Sequence, residues 1–298
     1  KIAEMREVGD RIAEQDREVA ALEAEFAREM LISEQRVSPS MRATESSFLC
    51  EEILLSSTFA MYISKQAKDR LILSADDYGI RDTVSRILPL AKAGKLARVA
   101  VMVNYCGPED AKRLLETGVK IDIHLDLIAL MGRGDRPGQG MLRRGLHFTV
   151  RRFFGYLPAE AVEAEWRRQI ERFRELFGRL PDGLNSHEHT HFFPGFFDRF
   201  LALAHEFRIP YVRFGQWGML VSFHHSVIGH ILTGLARKNR RHFEQAGLAT
   251  STYLVSLDWV HQKERFFHAL ASLPKEESIE LVVHPERERE YDFIQHHF

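Results

Sequence analysis

Asp76 and Asp77, His124, the run Ser186-His187-Glu188-His189-Thr190-His191, and His284 are the residues whose types and spacing suit them to chemistry in this chain. The paired aspartates follow the apolar run 71–75 directly. Neighbouring strand residues point to opposite faces, but at a strand end the chain turns, and Gly79 permits a tight bend that brings both carboxylates to one pocket. Two such groups suit a division of labour, one holding a cation and the other a proton; the plainer alternative is that one of them caps the following helix. His124 ends the run 119–123, with Asp126 two residues on. In the histidine-rich run, a continuing strand would put His187, His189 and His191 on one face. Their spacing of about 6.6 Å is too wide for all three to reach one ion at about 2.0–2.1 Å, so one or two are ligands and the rest touch substrate or support them. His284 follows the apolar run 279–283 and precedes Pro285, a placement suited to a general acid.

Elements that position these residues are visible in the apolar patterning. From Arg70 onward short apolar runs alternate with helical stretches, among them a long helix over 159–177 with Val162, Trp166, Ile170, Phe173 and Phe177 on one face and Gly178 after its end. Strand candidates lie at 71–75, 99–103, 119–123, 183–187, 211–214, 252–257 and 279–283. Seven strands alternating with helices predict a parallel α/β protein, open or closed into a barrel. Ligands in such folds bind at the carboxyl ends of strands, where all four candidate segments fall. A Gly-rich loop spans 132–145.

The first 67 residues differ in texture. Met5, Ile12, Val19 and Phe26 recur every seven residues, with Val8 and Leu22 offset by three, which predicts one coiled-coil-like helix over 1–36. A linker follows to about residue 67, making 1–67 a helical extension and 68–298 the catalytic domain. A helical extension of this kind also makes a homo-oligomer an expectation.

Composition narrows the functional class. The 298 residues are 45% hydrophobic and carry a formal charge of -1, enough for a full core and without the basic field that nucleic acid requires. Two cysteines, Cys50 and Cys106, exclude a disulfide scaffold or a cysteine-rich zinc module. No run reaches the ~20 apolar residues of a membrane span, no leader is visible at the start, and the expected compartment is cytoplasmic. All 15 histidines lie at or after position 124, so imidazole chemistry belongs to the later part of the chain.

Ala75-Asp76-Asp77-Tyr78-Gly79, Ile123-His124-Leu125, Asn185 to His191 and Val283-His284-Pro285 resemble, in order, the motifs of the YdjC/ChbG-like chitooligosaccharide deacetylase family, over about residues 70–287. The resemblance implies a distorted (β/α) barrel of about seven strands that hydrolyses N-acetyl groups on amino sugars with one divalent cation, Mg2+ or Zn2+. It implies Asp77, His124 and His187 as cation ligands, Asp76 as general base and His284 as the acid that protonates the leaving amine. His189, His191, Asn185 and Tyr78 are then substrate-contacting or supporting neighbours. The expected partner is a small N-acetylated sugar. Ile231 to Leu235, the basic run 237–241 and Ala246 to Leu248 look like the hopanoid-biosynthesis-associated branch (HpnK). The passage 217–241 suits a lid, a weak membrane-surface contact or an ordinary barrel helix with a solvated basic end. Asn185 stands where the family usually carries Asp, and thirteen residues follow Pro285, too few for a last barrel helix and strand. The short C-terminus predicts a truncated barrel with an exposed strand edge; together with Asn185, which bears on metal affinity, and the 1–36 helix, it motivates an alternative function as a catalytically impaired metal- or sugar-binding barrel on an assembly helix. A hydrolase of phosphate or ester substrates at the same type of site is a third reading.

Overall fold

Leu71–Tyr78 (β1), Arg98–Val101 (β2), Lys120–Leu125 (β3), Gly183–Ser186 (β4), Tyr253–Ser256 (β5) and Ile279–Val283 (β6) form one parallel sheet in the order β4-β3-β2-β1-β6-β5. The structure is a computed structural model, and it describes residues 63–80, 82–130, 157–216, 227–260, 263–271 and 273–298. The expected helix over 1–36, nearly all of the linker to 67, the loop 132–145 and the first part of the 217–241 passage lie outside the described residues.

Helices connect the strands: Lys65–Lys68 (α1), Thr83–Lys92 (α2), Pro108–Leu115 (α3), Ala159–Phe177 (α4), Phe197–Glu206 (α5), Val227–Ala246 (α6), Lys263–Ala271 (α7) and Glu288–His297 (α8). The periodicity of α4 translates directly into packing. Val162, Trp166, Ile170, Phe173 and Phe177 are buried, and Gly178, at φ 67°, stops the helix in the left-handed conformation that glycine adopts without strain. Along the strands, Leu73, Ala75, Val99, Val101, Ile121, Ile123, Leu281 and Val283 belong to the apolar core. The alternate positions Ser74, Asp76, Arg98, Asp122, His124 and Glu280 are polar and equally buried. One face of the sheet is therefore apolar while the other mixes these buried polar and charged groups with residues such as Ala100 and Val282, an unusual division for parallel strands, which ordinarily bury apolar residues on both faces.

The sheet is a curled half-barrel of six strands, not seven. The segment 211–214, expected as a strand, makes only isolated bridges, Leu184 to Val212 and Tyr211 to Ala249. It nonetheless lines the free edge of β4, where Leu184 N–H donates to Tyr211 O at 2.9 Å and Arg213 N–H to Leu184 O at 3.0 Å. The residues after Pro285 supply a ten-residue helix, α8, which buries Phe293 and Ile294. The described part of the 217–241 passage lies in α6, packed through Leu232, Ala236 and Phe243, with Asn239 Nδ2 donating to Phe192 O at 2.8 Å. Among the described residues no helix is long and apolar enough to cross a membrane.

Candidate metal centre

The aspartate pair reaches one pocket through a bulge in β1. Pairing with β2 is regular at Ser74 and Ala75, then shifts before Tyr78, and Asp77 adopts φ 66°. A bulge aims consecutive side chains to the same side, and the left-handed aspartate completes the turn. Thr83 Oγ1 donates to the Asp77 carbonyl at 2.7 Å and holds the bend. Gly79, at φ 105°, is required twice over, since a Cβ there would also lie 3.0 Å from Cys106.

Asp77 Oδ1 lies 3.2 Å from His124 Nε2 and 2.9 Å from His187 Nδ1. The imidazoles meet edge to face with centroids 5.4 Å apart, and the three donor atoms all fall within 4.8 Å of one another, close enough to hold one metal ion. His124 sits at the carboxyl end of β3, and its Nδ1–H donates to Asn185 Oδ1, its register partner on β4, at 2.5 Å. That bond leaves Nε2 facing Asp77, the service that an outer carboxylate or amide performs for a ligating histidine. Asn185 therefore keeps the acceptor an aspartate would offer, while its Nδ2 is buried without a partner.

The His-rich run does not continue the strand. Residues His187–Phe192 form a 3-10 turn kinked at Glu188 (φ 54°) and His189 (φ 53°). With Asp77, three of the four described non-glycine residues in the left-handed region lie at this centre, where such strain is characteristic of functional sites. The kink separates the three histidines. His187 joins Asp77. His189 lies between Trp259 and Phe192, with its Nδ1 buried and unpartnered, and burial pushes its pKa down to about 3, so it stays neutral. His191 is fully buried. Its Nε2–H donates to Arg213 O at 2.9 Å and its Nδ1 accepts from Ser186 Oγ at 2.6 Å, leaving no ring nitrogen for a ligand. Tyr78 is also a core residue, its hydroxyl donating to Asp110 O at 2.9 Å. Asp126 is held by Asn104 at 3.1 Å and caps Ile128 N–H, outside the three-residue cluster.

Asp76 is adjacent but engaged elsewhere. Arg213 Nη1 and Nη2 donate to its two oxygens at 2.6 and 2.8 Å, and its Oδ2 lies 3.9 Å from His124 Nε2. Burial favours the neutral acid, yet Arg213, with help from His124, holds its pKa at about 2. Burial likewise opposes ionisation of Asp77, but His187 and His124 hold it well below the usual carboxylate range. His187 moves the other way, up to about 9, because Asp77 outweighs the penalty of burial. His284 lies close enough for its charge to be felt by Asp76 and Glu286, with its Nδ1 buried and unpartnered. A ring nitrogen of His284 is also within 4.8 Å of carboxylate oxygens of Asp258 and Glu290, and Arg287 pairs with both.

Four residues of the centre's surroundings are absent from the motif-based reading: Arg213, Glu280, Arg98 and Asp122. Arg213 Nε donates to Glu280 Oε1 at 2.6 Å, Tyr211 hydroxyl donates to Glu280 Oε2 at 2.6 Å, and the Arg98 guanidinium lies 4.0 Å over the Tyr211 ring. Arg98 in turn grips Asp122 at 2.7 and 2.5 Å. This linked set buries Asp76, Asp122 and Glu280 against Arg98 and Arg213, with Asp77 and the buried Asp126 facing the two histidines beside it. One carboxylate and two imidazoles offer the oxygen and nitrogen donors that suit Zn2+, Mn2+ or Mg2+. The residues present fit the ion that the sequence led us to expect.

The chain is similar to known proteins. A carbohydrate deacetylase of Danio rerio is 29% identical over 157 residues, 50% of this chain and 50% of its own length. Chitooligosaccharide deacetylases of Escherichia fergusonii and Proteus mirabilis are 30% and 28% identical, covering 46% and 47% of this chain and 56% and 57% of theirs. The chain thus spans about half the length of the curated relatives it matches. A model of the family described as YdjC-like protein matches residues 70–297, the whole stretch from β1 through α8 that builds the centre, and the chain belongs to that family.

Proposed function

We propose that this protein is a divalent-cation-dependent hydrolase that removes acetyl groups from the nitrogen of small amino sugars. The observation that carries the reading is the convergence of Asp77, His124 and His187 at the end of a parallel sheet, with Asp76 beside them, in a family whose curated relatives are sugar deacetylases. Asp77, His124 and His187 would hold the cation. A bound cation supplies Lewis acidity, polarising an acyl oxygen and making water's proton labile near neutral pH. Asp76 then has an acceptor's role that a carboxylate with pKa about 2 can fill only weakly by itself. Overall, water adds its oxygen to the acyl carbon, the C–N bond breaks, and His284 delivers a proton to the departing nitrogen, leaving acetate and the free amine. Neutral His189 offers an uncharged hydrogen-bonding group beside them.

The same engagement of Asp76 by Arg213 favours a second reading, a barrel that binds metal or sugar without turnover. Acetate release from diacetylated chitobiose decides between them. Purified protein should release acetate, stop in chelator and recover on adding Zn2+ or Mg2+, while elemental analysis identifies the resident ion. Folded, metal-loaded protein that binds acetylated sugars and releases no acetate would establish the second reading. The resemblance of residues 231–248 to the hopanoid-associated branch suggests a glycolipid amide as a further substrate to test.

A further inference from the structure

Asp76 and Asp77 are chemically identical neighbours, and both lie near the same histidine: Asp77 Oδ1 at 3.2 Å and Asp76 Oδ2 at 3.9 Å from His124 Nε2. Nothing in their own chemistry says which should meet a cation. A carboxylate next to an ion tends to join its shell, and a displacement of about 1 Å is enough to spoil a catalytic constellation. The left-handed backbone at Asp77 turns its carboxylate to both histidines; what holds Asp76 back is Arg213.

We propose that Arg213 is a positioning residue that decides which aspartate meets the cation: by gripping both oxygens of Asp76 it withholds that carboxylate from the centre formed by Asp77, His124 and His187. The inference rests on the metal-centre reading above. Arg213 is fully buried, and each of its three nitrogens is used. Nη1 and Nη2 fork onto Asp76, Nη2 also reaches Ser74 Oγ at 2.7 Å, and Nε is anchored on Glu280 at 2.6 Å. The anchor is itself held by Tyr211, and the Arg213 carbonyl by His191. A guanidinium fixed at its back and along its edge presents a rigid fork, which a lysine ammonium, a single point charge, does not reproduce. His191, whose ring nitrogens are both occupied, acquires a purpose in this arrangement: it fixes the backbone from which the fork projects.

The test compares Co2+ binding by wild type, Arg213→Lys, Asp76→Asn and the double variant, by chelator competition and by the absorption band of the bound ion. Arg213→Lys keeps the charge, so a field effect alone predicts no change. Release of Asp76 predicts an extra oxygen in the shell, seen as a changed Co2+ band, and binding about tenfold tighter, a gain that vanishes in the Asp76→Asn background. Asp76→Asn by itself should leave the Co2+ band and one-to-one stoichiometry as in wild type, and this isosteric variant tests the proposal even if Arg213→Lys fails to fold. A wild-type protein that binds Co2+ while Arg213→Lys binds it no tighter, or while Asp76→Asn alters the band, overturns the proposal and leaves the metal centre standing. A wild-type protein that binds no Co2+ overturns both.

Discussion

His187 and Asp77 show at the scale of single residues how the centre manages charge before any ion arrives. The imidazole is pushed up from 6.5 to about 9, with burial opposing the shift and Asp77 driving it. A proton on His187 thus supplies a positive charge to the buried carboxylates around it. In metal-free protein this ion pair contributes its full stability below about pH 6.5, and the contribution is lost as pH rises through about 9. Melting temperatures measured in chelator should therefore fall between pH 6.5 and 9.5. The fall should flatten when a divalent cation is present, because the ligand must already be deprotonated. A slope that is the same with and without the ion would show that His187 is not a ligand.

At the scale of elements, the β1 bulge and the polar face of the sheet explain what could be read in advance and what could not. Asp76-Asp77, His124 and His284 could be singled out because each follows an apolar run, and His187 because it ends the expected strand 183–187; parallel strands end where ligands bind. The 159–177 helix was legible to the residue, since its apolar period and terminal glycine agree. The kink at Glu188 and His189 was not, because two left-handed non-glycine residues run against local preference and are set by their surroundings. Arg98 and Glu280 each left a trace, a solitary charge in an otherwise apolar strand, and Asp122 stands between Ile121 and Ile123; only the three-dimensional pairing shows that the charges answer one another. Gly183 belongs to this network. A Cβ there would sit 2.5 Å from Arg98 Nη2 and 2.6 Å from Asp122 Oδ1, so the missing side chain is the space the ion pair occupies. Gly183→Ala should lower unfolding free energy by about 3 kcal/mol, the scale of disrupting a buried ion pair, as read from the urea midpoint. A loss below about 0.5 kcal/mol, typical of an uninvolved site, would mean that the pair has room to shift.

Across the whole molecule, a sheet with linked, buried charges on one face should, on the proposed reading, depend on a bound cation more than a wholly apolar one would. Binding to the folded state alone should add about 2.7 kcal/mol at a hundredfold excess over the dissociation constant, measurable as a rise in melting temperature that Asp77→Ala abolishes. The left-handed turn at Asp77 has one more consequence. Its carboxylate is aimed by the main chain, and His124 is aimed by Asn185, so the cup exists before it is filled. Loading then waits on the visitor shedding its own hydration, not on the host rearranging: Mg2+, which gives up water reluctantly, should enter far more slowly than Zn2+ or Co2+, in an order set by the aqueous ions themselves.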